Sequence, residues 1–199
     1  MKQKELEIML SKLHNFENPK VQLEQYQTPP RLVAMIAWRA FQLGDIENKM
    51  VADFCCGTGL FAISAAKLGG SKVYGIEIDN EALKIAEKNA QISGVDIIFL
   101  CKDVRETKIK VDTILMNSPF GIQGAHKDQI FLLSALKNSK TCYSIHLYQQ
   151  KNIEFLIDFI RKHNKEVTEV ITAEFEIPRM YSFHKKKHHI IKIAILRSA

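Results

Sequence analysis

From about residue 50 onward the chain alternates short apolar runs with longer stretches of helical period, and this alternation leaves few folds open. Strand-like runs fall at residues 50–54, 72–78, 96–101, 111–116 and 142–147. Between and after them, residues 60–68, 80–93, 128–137 and 152–163 space their apolar positions three and four apart, as an amphipathic helix does. A strand, a helix and a second strand in series return by a right-handed crossover, which builds a parallel sheet with helices on both faces. Two later runs, 166–177 and 189–196, have no helix between them and are expected to pair antiparallel. The predicted fold is therefore α/β: a mostly parallel seven-stranded sheet with an antiparallel last strand. Two helices precede it. Residues 2–13 place Leu6, Met9, Leu10 and Leu13 on one face. Residues 30–43 follow Thr28-Pro29-Pro30, a good cap and good starters, and stop at Gly44.

In such a sheet a ligand sits beyond the carboxyl ends of the strands, near the point where strand order reverses. After the first strand comes Asp53-Phe54-Cys55-Cys56-Gly57-Thr58-Gly59. Glycines at a strand-to-helix turn let the backbone approach a ligand closely. Gly57 and Gly59 match only the first half of a dinucleotide fingerprint, and Asp53 in front of them suits a cationic group better than a pyrophosphate. Glu77 ends the second strand, where a carboxylate grips ribose hydroxyls. Asp103 follows the third, within reach of an adenine amine. Each has a plain structural role when taken alone: a helix cap, a surface acid, a turn opener. Together, at successive strand ends, they suit a ligand with a cationic amino-acid end, a ribose and an adenine. S-adenosylmethionine has all three.

After the fourth strand comes Asn117-Ser118-Pro119-Phe120-Gly121. The exocyclic amine of a nucleobase is a poor nucleophile, because its lone pair is delocalised into the ring. Two acceptors that hold its hydrogens favour a pyramidal nitrogen and aim the lone pair at a methyl group. The Asn117 side-chain oxygen and the Ser118 carbonyl are candidates for those acceptors. Pro119 shapes the turn, and Phe120 is placed to stack on a base that has left its helix. Placement in line with the methyl then supplies most of the catalysis.

At the glycine turn the sequence resembles the class I, Rossmann-like S-adenosylmethionine-dependent methyltransferases, whose first motif is commonly Asp-x-Gly-x-Gly-x-Gly. Asp53, Gly57 and Gly59 match, while Cys55 stands where the first Gly is usual. Cys55 carries a Cβ, so a positive φ there would be costly. The 117–120 turn resembles the Asn-Pro-Pro-Phe or Asn-Pro-Pro-Tyr of enzymes that methylate planar amines. Ser118 replaces the first Pro, keeping the carbonyl but loosening the loop. The segment 23–29, residues 45–49 and Tyr181-Ser182-Phe183-His184-Lys185-Lys186-Lys187 extend the likeness. Nearly the whole chain resembles the methyltransferase-like enzymes that form N6-methyladenosine in small-subunit ribosomal RNA, archaeal relatives included. That resemblance implies that Gln25, Tyr26 and Thr28 close over the cofactor. Gln27 takes the place of the usual Pro after the Tyr. It further implies cofactor contacts at Asp53, Cys55, Gly57, Gly59, Glu77, Ile78, Asp103, Val104 and Asn117.

The chain has 199 residues, 28 Lys+Arg against 22 Asp+Glu, a net charge of +6 and 46% hydrophobic residues. Those fractions exclude disorder as the main state. The expected organisation is one methyltransferase domain over residues 1–199, with 1–28 as a helix and closing segment and 179–192 as a basic loop. Arg179, Tyr181, Phe183, His184, Lys185, Lys186 and Lys187 mix phosphate-binding cations with aromatics that stack on unpaired bases, which points to RNA. Their histidines lack the spacing and support of a metal site. No apolar run reaches the roughly 18–20 residues that span a bilayer. Residues 1–12 lack the apolar core of a signal peptide, and Cys55, Cys56, Cys101 and Cys142 form no CxxC pair. The expectations are thus a cytoplasmic protein with reduced thiols, no metal and no membrane partner. The third strand, with Ile97 and Leu100, is expected at the sheet edge, a position that invites another chain. The resemblance implies that a small zinc-binding activator protein adds a strand there. Two other activities fit some of these features: methylation of a protein glutamine amide, and a weakly catalytic cofactor-binding RNA module.

Overall fold

The computed structural model describes residues 1–120, 127–178 and 188–199. Helix α1 (Gln3–Leu10) buries Leu6 and Leu10. It is shorter than its periodicity predicts because the chain then tightens: Lys12 N–H donates to the Met9 carbonyl and Leu13 N–H to that of Leu10. Helix α2 (Pro30–Gln42) has Pro at its first position, where the missing N–H would have had no helical partner anyway. Its buried stripe is Leu32, Val33, Ile36, Ala37 and Ala40. Gly44, at φ 76°, turns the chain out of the helix.

The seven strands are β1 (Met50–Phe54), β2 (Lys72–Glu77), β3 (Ile98–Cys101), β4 (Val111–Met116), β5 (Ser139–Leu147), β6 (Val167–Pro178) and β7 (His188–Ser198). They lie in the order β3-β2-β1-β4-β5-β7-β6. β1 pairs parallel with β2 and β4, β2 with β3, and β4 with β5. β7 runs antiparallel between β5 and β6. The crossovers are α3 (Leu60–Lys67), α4 (Asn80–Ser93), α5 (Lys127–Asn138) and α6 (Gln150–Lys162). The mostly parallel sheet with an antiparallel last strand is as expected.

Boundaries moved where pairing overruled hydrophobicity. β3 begins at Ile98, not residue 96, because its ladder with β2 starts at Tyr74↔Ile98. β5 begins at Ser139, directly after α5. Its first three residues are too polar to read as a strand, yet Ser139 and Thr141 pair with Val111 and Thr113. β6 and β7 extend to Pro178↔His188 at one end and to Ser198 at the other.

One face of the sheet packs on α1, α2, α3 and α4 through residues such as Leu6, Ile36, Ile63 and Ala90. The other packs on α5 and α6 through Leu132, Leu136, Ile153 and Leu156. At the amino end of the sheet a buried polar knot ties distant segments. Asp45 accepts from the Tyr143 hydroxyl at 2.6 Å and from Arg197 Nε and Nη2 at 2.9 and 3.1 Å. No helix among the described residues is long and apolar enough to cross a membrane.

This topology fixes where a site can form. The carboxyl ends of β1, β2, β3 and β4 all open on one edge, and the order reverses between β1 and β4. Two antiparallel steps return β6 to the direction of β5, so Pro178 and His188 lie at that same edge.

Candidate active site

A cavity of about 370 Å³ opens at the carboxyl ends of β1, β2, β3 and β4, and this falls within the size range of small-molecule sites. Its lining includes Asp53, Cys55, Gly57, Glu77, Ile78, Asp103, Val104 and Asn117, together with Gln25, Tyr26 and Thr28 of the N-terminal segment. Those residues reach one wall from four strand ends and a distant loop.

The glycine turn is held open by its backbone. Cys55, Gly57 and Gly59 take φ of 58°, 52° and 87°. Cys55 therefore adopts the left-handed conformation of the glycine it replaces, at the cost expected for a residue with a Cβ. A Cβ on Gly57 would lie 2.8 Å from the end of the Phe16 ring, so any side chain there would have to displace that ring. Gly59 caps α3.

Asp53 is buried and accepts the Ala62 N–H of α3 at 2.9 Å. Its capping role and its place in the cavity wall coexist. Burial, followed by the charge of Glu77, pushes its carboxyl well above the usual range. Glu77 accepts from Gly57 N–H at 3.0 Å through one oxygen, and from Ile78 and Asp79 N–H at 2.9 and 3.0 Å through the other. Burial raises its pKa and these backbone donors oppose the rise. Cys55 and Cys56 thiols are likewise pushed up by burial, so they stand as thiols, not thiolates.

Two expected cofactor residues have partners that sequence reading missed. Asp103 binds Arg105 through both carboxylate oxygens, with Nε at 2.9 Å from each. Arg105 holds that carboxyl below its usual range and reaches the Phe131 ring. Gln25 donates from Nε2 to Asp79 at 2.7 Å, and Lys20 Nζ meets the other Asp79 oxygen at 2.7 Å. The Asp103–Arg105 pair is local and could have been read from its spacing. The Lys20–Asp79 pair spans 59 residues and leaves no local signal. Phe16 is in the same position: its role over Gly57 is purely tertiary.

At the reaction end, Asn117 Nδ2 donates to the Thr28 hydroxyl at 2.9 Å. The Asn117 Oδ1 is buried with no hydrogen-bond partner among the described residues. Ser118 is buried and Pro119 lines the cavity. Phe120 is not part of that lining. It stacks on Tyr26, with centroids 5.8 Å apart, and meets Phe175 of β6 edge-on at 6.2 Å. Its ring belongs to a three-ring cluster at the rim. Arg179, Tyr181, Phe183, His184, Lys185, Lys186 and Lys187 lie outside the described residues. β3 lies at the edge of the sheet, as expected, with Ile98 exposed and Ile97 and Phe99 packed inward. The four cysteines are free, and no group of metal-ligating side chains gathers among the described residues.

The cradle fits S-adenosylmethionine. Among the described residues four carboxylates line it, those of Glu24, Asp53, Glu77 and Asp103, and of its two cations Arg105 is already spent on Asp103, so it favours a cationic ligand over a phosphate. The floor at Gly57 takes a Cβ only if the Phe16 ring moves. The strand order, the glycine turn and the acids at successive strand ends define a Rossmann-like methyltransferase. The chain belongs to the family described as the methyltransferase small domain, whose model matches residues 39–142. It is 34% identical to the rRNA N(6)-adenosine-methyltransferase METTL5 of Danio rerio, over 99% of this chain and 98% of that protein. An uncharacterized protein of Methanocaldococcus jannaschii is 37% identical over 99% of this chain and 94% of its own length. Among solved structures, a candidate RNA methyltransferase from Pyrococcus horikoshii superimposes with a TM-score of 0.93 at 41% identity, covering 100% of this chain and 98% of that one.

Proposed function

We propose that the protein methylates the N6 amine of an unpaired adenine in RNA, specifically small-subunit ribosomal RNA. The observation that carries this reading is the orphaned Asn117 Oδ1. A buried amide oxygen without a donor costs free energy, and this one belongs to a residue that lines the cavity. With the Ser118 carbonyl it would offer two acceptors for the two hydrogens of an exocyclic amine. An acceptor pair serves an amine and would repel a carbonyl or phosphate.

S-adenosylmethionine, when bound, supplies an electrophilic sulfonium methyl. Asp53 would hold its amino-acid end, the glycine turn would admit its backbone-facing edge, and Glu77 would take the ribose hydroxyls. Ile78, Asp103 and Val104 would border the adenine, with Gln25, Tyr26 and Thr28 closing the other side. Asn117 and Ser118 orient the target nitrogen, so that its lone pair attacks as the N–C bond forms and the C–S bond breaks. The nitrogen then carries an extra proton and is acidic enough to lose it to water. No general base is required of this chain. Phe120 extends the rim on which the flipped base stacks. The basic residues from Arg179 to Lys187 would hold RNA phosphates, since β6 and β7 bring Pro178 and His188 to the same edge. At the other end of the sheet, the open edge of β3 would receive a strand from a small zinc-binding activator protein.

The test is transfer of a labelled methyl group to ribosomal RNA, with and without such an activator, followed by digestion to nucleosides. Label in N6-methyladenosine is the expected result. Label in protein, or in another nucleoside, refutes the proposal. Asn117→Ala should abolish transfer and change cofactor affinity by less than about threefold, because it removes about one hydrogen bond's acceptor from the substrate side.

A further inference from the structure

The reaction turn lies at the carboxyl edge of the sheet. The opposite edge is where each helix returns the chain to the start of the next strand, and cations gather at those starts. Lys49 precedes β1, Lys72 opens β2, Lys108 and Lys110 precede β4, Lys140 stands second in β5, and Lys165 lies two residues before β6. The segments 44–50, 67–72, 94–97, 107–112, 137–140, 161–166 and 197–199 together hold eleven Lys and Arg against five Asp and Glu. Their net charge of +6 equals that of the whole chain. Two of the acids are already matched, Asp45 by Arg197 and Asp112 by Lys140. Those pairs are neutral, so the whole excess stays on this face.

From β2 across β1, β4, β5 and β7 to β6 there are five strand steps, or about 24 Å at about 4.8 Å a step. Charges at neighbouring strand starts fall within the screening length of about 8 Å and repel one another. Some of them have plain structural roles. Lys137, Arg161 and Lys162 sit in the last turns of their helices, where the dipole favours cations. Lys110 Nζ donates to the Lys137 carbonyl at 2.5 Å, and Lys165 Nζ to that of Lys140. Lys49 and Lys108 are exposed and lie outside the helices and the ion pairs above. We infer that this amino-end face is a second RNA surface, which binds the phosphates of a segment other than the one that enters the active site. The inference rests on RNA being the substrate. A polyanion matches a row of cations of this length and relieves its repulsion without reading base sequence. β4 runs six residues from this edge to the reaction turn, about 20 Å, so a short strand threaded into the pocket does not reach the row. The face therefore favours a large folded RNA over a short strand that carries the same adenine.

The test uses the full chain, with its activator if activity requires one, and two triple variants. Lys49→Gln, Lys108→Gln and Lys162→Gln together remove three charges from exposed positions of the face. Affinity for ribosomal RNA should fall by about tenfold or more, and the slope of log affinity against log salt by about two to three. KM for that RNA should rise, while kcat and cofactor affinity hold. A short single-stranded oligonucleotide that carries the target adenine should be bound and methylated as by the wild type. The control, Lys4→Gln, Lys12→Gln and Lys84→Gln, removes the same charge away from the face and should change RNA affinity by less than about threefold. Equal losses in the two triple variants mean that net charge and not the face is felt, and overturn the inference. So does an equal loss on the short oligonucleotide, or no loss on ribosomal RNA. Unchanged RNA binding with lost binding of poly-glutamate assigns the face to an acidic protein and overturns the inference as well. The salt titration needs no turnover. RNA that is held by this face but never labelled at N6 of adenine overturns the reading of the reaction and leaves the second surface standing.

Discussion

Replacing Gly57 by alanine separates two physical costs at the floor of the cavity. The first is conformational: Gly57 sits at φ 52°, where a residue with a Cβ is about 1–2 kcal/mol less favourable than glycine. The second is steric, since the new Cβ would lie 2.8 Å from Phe16 Cζ. That atom is the outer end of a side chain on a surface segment, so the ring should swing aside at small cost, and the conformational part should dominate. The strain also falls on a functional contact, because the Gly57 N–H donates to Glu77 at 3.0 Å. The expected result for Gly57→Ala is a loss of about 1–2 kcal/mol in unfolding stability by urea titration. A comparable loss should appear in the affinity for the demethylated cofactor product by calorimetry, with the enzyme still folded. Repeating the substitution in a Phe16→Ala background isolates the parts. Most of the cost should persist there. If the cost vanishes once Phe16 is truncated, the clash and not the backbone was responsible, and the reasoning fails.

Two further outcomes follow from buried polar groups. His146 on β5 is buried beside the Ser144 hydroxyl at 2.8 Å, and burial lowers its pKa from 6.5 to about 4. The unfolded chain therefore binds that proton first, and stability should fall as pH drops from 6.5 toward 4. The contribution lost is about 2 kcal/mol by pH 5; His146→Gln should flatten that part of the slope, and an unchanged slope would exclude His146 as its source. Asp45→Ala strips the carboxylate from Arg197, whose side chain is only 17% exposed, and should cost about 3 kcal/mol or more in thermal or urea unfolding. Adding Arg197→Met should recover part of that loss, whereas simple additivity would show that the pair does not act as one.

Much of the site's address was legible in the chain. Asp53, Glu77 and Asp103 could be placed at successive strand ends because each closes an apolar run, and a parallel sheet puts such ends on one edge. Asn117 followed by the same rule. What those residues do with their hydrogen bonds was not legible. Asp103 was expected to face an adenine amine, and in the fold its oxygens are engaged by Arg105. Gln25 was expected to face the cofactor, and its amide is fixed on Asp79. Phe120 was read as a base-stacking ring, and it stands in a cluster with Tyr26 and Phe175. Cys55 was expected to be costly at a positive φ, and the turn keeps that φ rather than relaxing.

Alternating periods of two and of three to four are local properties, so the order of strands and helices along the chain, the crossovers and the edge at which the cavity opens could be read from the sequence alone. The glycine turn and the acids around it belong to the same level. Partnership is different. The bonds that shape this site join residues 54, 59 and 89 positions apart, and such pairs exist only after the sheet has brought their segments together. Burial then gives each bond its weight, because an unpaired polar atom is cheap in water and expensive inside. The structure alone shows Thr28 bonded to one end of the Asn117 amide while the other end is buried with no partner among the described residues.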